Sequence, residues 1–212
     1  MQGLKLGVNK SGYYDSNSNI ISTTVDNAIN SILDSLSGLH ALVVYSDRSK
    51  LKDLWSLYAK KSIEEKNELV CVAPFYDTID SVRNSLSGGE VSIDVAKYEK
   101  EEKSLILVDS LEKYYNANSN HVLDLKSLLK ANNELVEYAN SLNKKGVSIL
   151  GDAGAFLFKD HIQSLIDYES SLPAEFDANL RGICLYHQKD FDRLSVDQKK
   201  KIIDHHKIAI KI

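Results

Sequence analysis

Two cysteines, two prolines, one tryptophan and one methionine are all that the 212-residue chain holds of those residue types. Cys71 and Cys184 each lie inside an apolar run without metal-binding spacing, and so read as small buried hydrophobes of a reducing compartment. No apolar stretch approaches the ~18 residues that cross a bilayer. The opening Met-Gln-Gly-Leu-Lys lacks the apolar centre of a signal peptide, so neither membrane insertion nor export is expected, and a cytoplasmic protein is. Positive charge is not in excess either. With 26 Lys and Arg against 30 Asp and Glu, the net charge of −4 supplies no global field to gather nucleic acid or anionic lipid. Glycine is missing between Gly38 and Gly88, a gap that falls where a phosphate-binding turn would need it.

What is present suffices for one folded α/β domain. A chain of this length buries on the order of 70% of its unfolded surface, so neither a disulfide nor a structural metal is required. The first 23 residues read as an arm ending in the polar tract Asp15–Asn19, and residues 24–212 as the domain. Val25, Ala28, Ile29, Ile32, Leu33 and Leu36 repeat at helical spacing between an N-cap at Thr24 and Gly38. His40–Tyr45 and Glu68–Ala73 are nearly all apolar, as strands covered on both faces are, and the stripe Leu51, Leu54, Trp55, Tyr58, Ala59, Ile63 makes a helix between them. The alternation continues with a helix about Val82, strands at Val91–Val95 and Leu105–Asp109, a long helix from Leu125 to Leu142, and a strand at Val147–Leu150. A helix about Leu165, a strand at Gly182–Tyr186, a helix at Val196–Ile203 and a strand at Lys207–Ile212 complete it. This pattern predicts a three-layer α/β/α sandwich with a mostly parallel sheet and right-handed crossovers.

In such a sheet ligands bind beyond the carboxyl ends of the strands. The loops there are Ser46–Ser49, Phe75–Asp77, Asp109–Ser110, Gly151–Gly154 and His187–Gln188, and they nominate Tyr45, Arg48, Tyr76, Asp152 and His187 as pocket residues for a small organic molecule. The turn Tyr45-Ser-Asp-Arg-Ser-Lys has neither the glycines nor the Lys-Ser/Thr pair of a nucleotide cradle. Asp109 ends a buried strand as a magnesium-holding acid does, but without that cradle it reads as a turn or cap residue. Gly151 and Gly154 leave room beside Asp152 for a ligand to approach the backbone. Asp204-His205-His206 matches the metal motif of phosphoesterases in residue type, but a helix end explains the histidines better. Cys184 and His187 are three apart on a strand and face opposite ways, which argues against a catalytic pair. No cofactor or resident metal is expected. Tyrosine is abundant, with 11 against five Phe, and combines an apolar body with a polar tip suited to a pocket.

The ordered set of small motifs from about Leu36 onward resembles one family. Gly38-Leu39-His40 leading to Tyr45, Leu105–Tyr115, Leu165–Leu172 with Tyr168-Glu169, Ile183-Cys184-Leu185-Tyr186 with Phe191, and His205 are similar to the MEDS domain, the methanogen/methylotroph DcmR-like sensory domain. Two positions depart from that pattern: His206 replaces a proline, and His187-Gln188 replace an acidic residue. The resemblance implies a RecA/KaiC-like core without a P-loop, acting as a non-catalytic sensor of small organic compounds. It further implies a protein partner such as a transcription regulator or histidine kinase, and it marks His40, Tyr168, Glu169, Cys184, Tyr186 and His205 as pattern positions. Direct nucleic-acid contact is not expected, since no helix-turn-helix is evident. Self-association is left open. The competing readings are a divergent nucleotide- or metal-dependent hydrolase and a ligand-free oligomerisation module.

Overall fold

A run buried at every residue must lie between two layers, and His40–Tyr45, Leu69–Ala73 and Val147–Asp152 are such runs. In the computed structural model, which describes residues 20–35, 38–89, 91–116, 121–176 and 179–212, they lie within one parallel sheet. Its strands are β1 (Ile21–Ser22), β2 (His40–Tyr45), β3 (Leu69–Ala73), β4 (Leu105–Leu107), β5 (Val147–Asp152), β6 (Leu180–His187) and β7 (Ile208–Lys211). Their order across the sheet is β1-β7-β2-β6-β5-β3-β4, and each pairing is parallel.

Helices cover both faces, which makes the α/β/α sandwich that the alternation predicts. On one face α1 (Val25–Leu33), α2 (Arg48–Lys60) and α3 (Ile79–Gly88) pack through Ile29, Leu51, Trp55, Tyr58 and Val82 onto Ala41, Val43 and Val70 of the sheet. Trp55 and Tyr58 are fully buried there, where large aromatic rings remove much apolar area from water. The other layer holds α4 (Ser110–Tyr114), α5 (Leu125–Ser141), α6 (Gly154–Phe158), α7 (Ile162–Ser171), α8 (Gln188–Arg193) and α9 (Val196–Asp204). Phe156, Leu165 and Ile202 pack there on Leu42 and Val44.

The helix starts are written locally. Thr24, Asp47, Thr78, Asp109, Asp124 and Ser195 each accept a main-chain amide of the first turn with their side-chain oxygen. At α9 the exchange is reciprocal: Ser195 accepts the Gln198 amide, and Gln198 accepts the Ser195 amide. Ser195→Ala is expected to lower stability by about 1 kcal/mol, read from the shift of a urea midpoint at unchanged slope.

Two sequence expectations meet the structure differently. Val91–Val95 is not a strand: Ile93 donates its amide to Leu86 at the end of α3, and Ile93 and Val95 bury their side chains in the α1–α3 layer. The alternation there satisfies a helix layer and not a strand pairing. The expected arm at residues 1–19 lies outside the described residues, while Ile21 and Ser22, counted with that arm, pair with Ile210 and Lys211 of β7.

Candidate functional site

Parallel register places the carboxyl ends of β2, β6 and β5 side by side, with Tyr45 opposite His187 and Leu185 opposite Asp152. Tyr45 Oη donates to Asp152 Oδ2 at 2.8 Å, and the Gly154 amide donates to Oδ1 at 2.8 Å. Both side chains are fully buried. Tyr76, from the loop after β3, donates its hydroxyl to Asp190 in α8. The His187 ring lies between the two tyrosines, 5.3 Å from each ring centroid. Tyr45, Tyr76, Asp152 and His187 therefore meet in one cluster, joined by Asp190, which the sequence reading did not single out. Its only local signal was its position three residues beyond His187.

Burial pushes the Asp152 carboxyl up to about 7, against the opposing pull of the Gly154 amide and the Tyr45 hydroxyl. Burial likewise raises the Tyr45 and Tyr76 phenols far above their ordinary range, with Asp152 and Asp190 adding to it. Both tyrosines thus remain donors. His187 Nδ1 accepts the Lys189 amide at 3.1 Å, so a neutral ring carries its proton on Nε2. The glycines flanking Asp152 serve a different purpose from the one expected. A Cβ at Gly154 would stand 2.5 Å from Phe75 and one at Gly151 would stand 2.1 Å from Tyr114 Oη, so the room they leave is occupied by the chain's own rings.

Arg48 lies outside this cluster. Its guanidinium donates to Asp77 Oδ1 at 2.7 Å and to the Tyr76 carbonyl at 2.6 Å, which fastens the Phe75–Asp77 loop. At the start of α2, where a phosphate would seek free amides, Asp47 Oδ1 already accepts the Ser49 amide at 2.8 Å. Asp109 caps α4 in the same way, through the Leu111 amide at 2.7 Å.

Four of the pattern positions, His40, Glu169, Cys184 and Tyr186, form a second cluster, on the other side of the sheet and toward its opposite end. His40 opens β2, Cys184 lies in the middle of β6 and Glu169 projects from α7. Glu169 Oε1 accepts the Tyr186 hydroxyl at 2.6 Å, and Oε2 lies 3.4 Å from both His40 Nε2 and Cys184 Sγ. His206 faces this cluster, its ring centroid 3.8 Å from that of His40. His205, the histidine marked by the resemblance, is half-buried, its Nδ1 donates back to Lys201, and only its carbonyl reaches His40. Tyr168 stands apart, accepting Asn132 Nδ2 at 3.2 Å and stacking at 16° on Phe156. Burial pushes the His206 imidazole down to about 4, outweighing the attraction of Glu169.

No helix among the described residues is long and apolar enough to cross a membrane. A family model described as MEDS, "MEthanogen/methylotroph, DcmR Sensory domain", matches residues 39–206. No curated protein matches the sequence. Among solved structures, the chain is similar to the crystal structure of the KaiC-like protein PH0186 from the hyperthermophilic archaeon Pyrococcus horikoshii OT3, at 14% identity and a TM-score of 0.49. That match covers 71% of this chain and 62% of the other.

Proposed function

Because the chain belongs to the MEDS family of sensory domains, we propose that it is a non-catalytic sensor that takes up a small organic molecule at the Tyr45, Tyr76, Asp152 and His187 cluster. The observation that carries this reading is Asp152, a fully buried carboxyl at a strand end that accepts the Tyr45 hydroxyl, in a cluster where the His187 ring packs against both Tyr45 and Tyr76. Two carboxylates among aromatic faces favour a neutral donor or a cation over an anion. A nucleotide is disfavoured at the same end of the sheet, since the Asp47 carboxylate occupies the helix start that a phosphate would use.

Binding requires the Phe75–Asp77 loop to open, because only Tyr76 and His187 of the cluster are half-buried, the others being buried, and the Tyr76 hydroxyl is held by Asp190. Arg48 anchors that loop from outside, so ligand and anchor compete for its position. A loop whose placement differs between free and bound states supplies the differential contact that signalling to a protein partner needs. A transcription regulator or a histidine kinase is the kind of partner this reading assigns.

The family description names methanogens and methylotrophs, and methanol, methylamine, trimethylamine and acetate are therefore the probes for a thermal-shift series. A ligand at about 100 times its Kd stabilises by about 2.7 kcal/mol, a Tm rise of about 5–10 °C for a chain of this size. Methylamines or methanol are expected to give that rise and acetate none. The methylamine response should strengthen as pH rises through about 7, since only the ionised Asp152 offers a charge. The reading is wrong if no probe shifts Tm, or if acetate shifts it as much as the amines.

A further inference from the structure

We propose that His40, Glu169, Cys184 and His206 form a closed four-ligand site for a divalent transition metal of the zinc type. This site lies on the opposite side of the sheet from the Asp152 cluster and does not depend on the sensory reading. Its argument begins with protons. His40 Nδ1 lies 3.0 Å from the His205 carbonyl and His206 Nδ1 lies 2.7 Å from the Ile202 carbonyl. A carbonyl can only accept, so each neutral ring carries its proton on Nδ1 and turns the lone pair of Nε2 inward.

Those lone pairs face other acceptors. Glu169 Oε2 is 3.4 Å from His40 Nε2, 3.5 Å from His206 Nε2 and 3.4 Å from Cys184 Sγ. Cys184 Sγ is in turn 3.3 Å from His40 Nε2, and all four atoms lie within 4.8 Å of one another. With both rings neutral, they own one hydrogen between them, that of the thiol. His206 Nε2 makes no hydrogen bond although the residue is only 7% exposed. Buried polar atoms are normally satisfied, and an acceptor aimed at acceptors is repelled unless a cation stands between them.

Size and chemistry agree on which cation. A tetrahedron with bonds of about 2.0–2.3 Å has edges of about 3.3–3.8 Å; four of the six edges, those given above, fall in that range, and all six are within 4.8 Å. Two imidazoles, one thiolate and one carboxylate suit zinc, whereas magnesium and calcium take sets made of oxygen alone. One dication balances the carboxylate and the thiolate, the thiol proton leaving to solvent. The supporting contacts are also those of a metal centre: a carbonyl fixes each ring, and the Tyr186 hydroxyl holds Glu169 Oε1 at 2.6 Å so that Oε2 points inward. Cys184 is the one partly exposed member of the four, in a cleft lined also by Gly182 and Phe176. Four protein ligands leave no open position, so the metal would act as a clasp among β2, α7, β6 and the turn after α9 rather than as a reaction centre.

The full chain, stripped with a chelator and titrated with Co2+, tests this directly. One Co2+ per chain is expected, with the visible bands of a tetrahedral ion and a near-ultraviolet thiolate-to-cobalt band, and Zn2+ should displace it and raise Tm. Cys184→Ser should abolish the thiolate band, and His206→Gln should weaken binding by more than about 100-fold. His205→Gln, which alters a half-buried ring turned back to Lys201 and keeps the carbonyl that holds His40, should leave binding unchanged. The wild-type spectrum decides the matter even if a variant fails to fold. Absence of stoichiometric binding, an octahedral spectrum without the thiolate band, or equal losses in His205→Gln and His206→Gln would overturn the site.

Discussion

Gly38→Ala is expected to destabilise the protein by about 3 kcal/mol or more. Gly38 has φ of 60°, a region that costs an L side chain about 1–2 kcal/mol. A Cβ there would also stand 1.9 Å from the Phe176 carbonyl oxygen, which is backbone and cannot swing aside. Relief would separate the two segments, losing the bond from the Phe176 amide to the Gly38 carbonyl at 2.7 Å and that from the His40 amide to Ala174 at 3.1 Å. Each such bond is worth about 1 kcal/mol net. Gly88→Ala is the control, because a Cβ there meets nothing within 4 Å and the residue closes α3. Urea unfolding should leave Gly88→Ala at wild-type stability or slightly above. A loss below about 1 kcal/mol in Gly38→Ala would show that this crossing is not tight.

Raising pH from about 4 to about 7 is expected to remove up to about 4 kcal/mol of stability from the wild type through Asp152 alone, and Asp152→Asn should remove that dependence. The carboxyl sits at about 7 in the fold because burial raises it, above its unfolded value. A raised acid binds its proton more tightly when folded, so its stabilisation is complete below about pH 4 and is lost as pH climbs through about 7. Stability therefore falls with rising pH at this group, the reverse of an ion-paired carboxylate. Asn keeps one acceptor for the Gly154 amide and can donate to Tyr45, so the packing survives. Paired urea titrations of wild type and Asp152→Asn at pH 5 and pH 8 give the test. The difference between the proteins should grow with pH in favour of Asn, and a constant difference would mean that Asp152 titrates normally.

Local rules made the strands and caps legible. An apolar run that is buried on both faces announces itself by composition, as His40–Tyr45 does, and a cap such as Thr24 needs nothing beyond its own first turn. The glycine-free stretch after Tyr45 was readable for the same reason, and Asp47 capping α2 is its structural counterpart. Val91–Val95 misled because alternation reports only which side chains are buried, and the layer that buries these is made of helices. His205 and His206 could not be told apart in the sequence. Adjacent residues at a helix end point about 100° from each other, and only the docking of α9 decides which ring turns inward.

Sequence alone determined the α/β alternation, the helix starts and the residues at strand ends, because each depends on side chains within a turn or a strand of one another. Only the tertiary structure decided that Tyr45, Asp152 and His187 should be neighbours, and that His40, Glu169, Cys184 and His206 should converge. Crossover connections let the same strands sit in several orders with equal local propensity. The order β7-β2-β6-β5 is selected by burying both sheet faces at once, a condition on contacts more than a hundred residues apart that no local window contains.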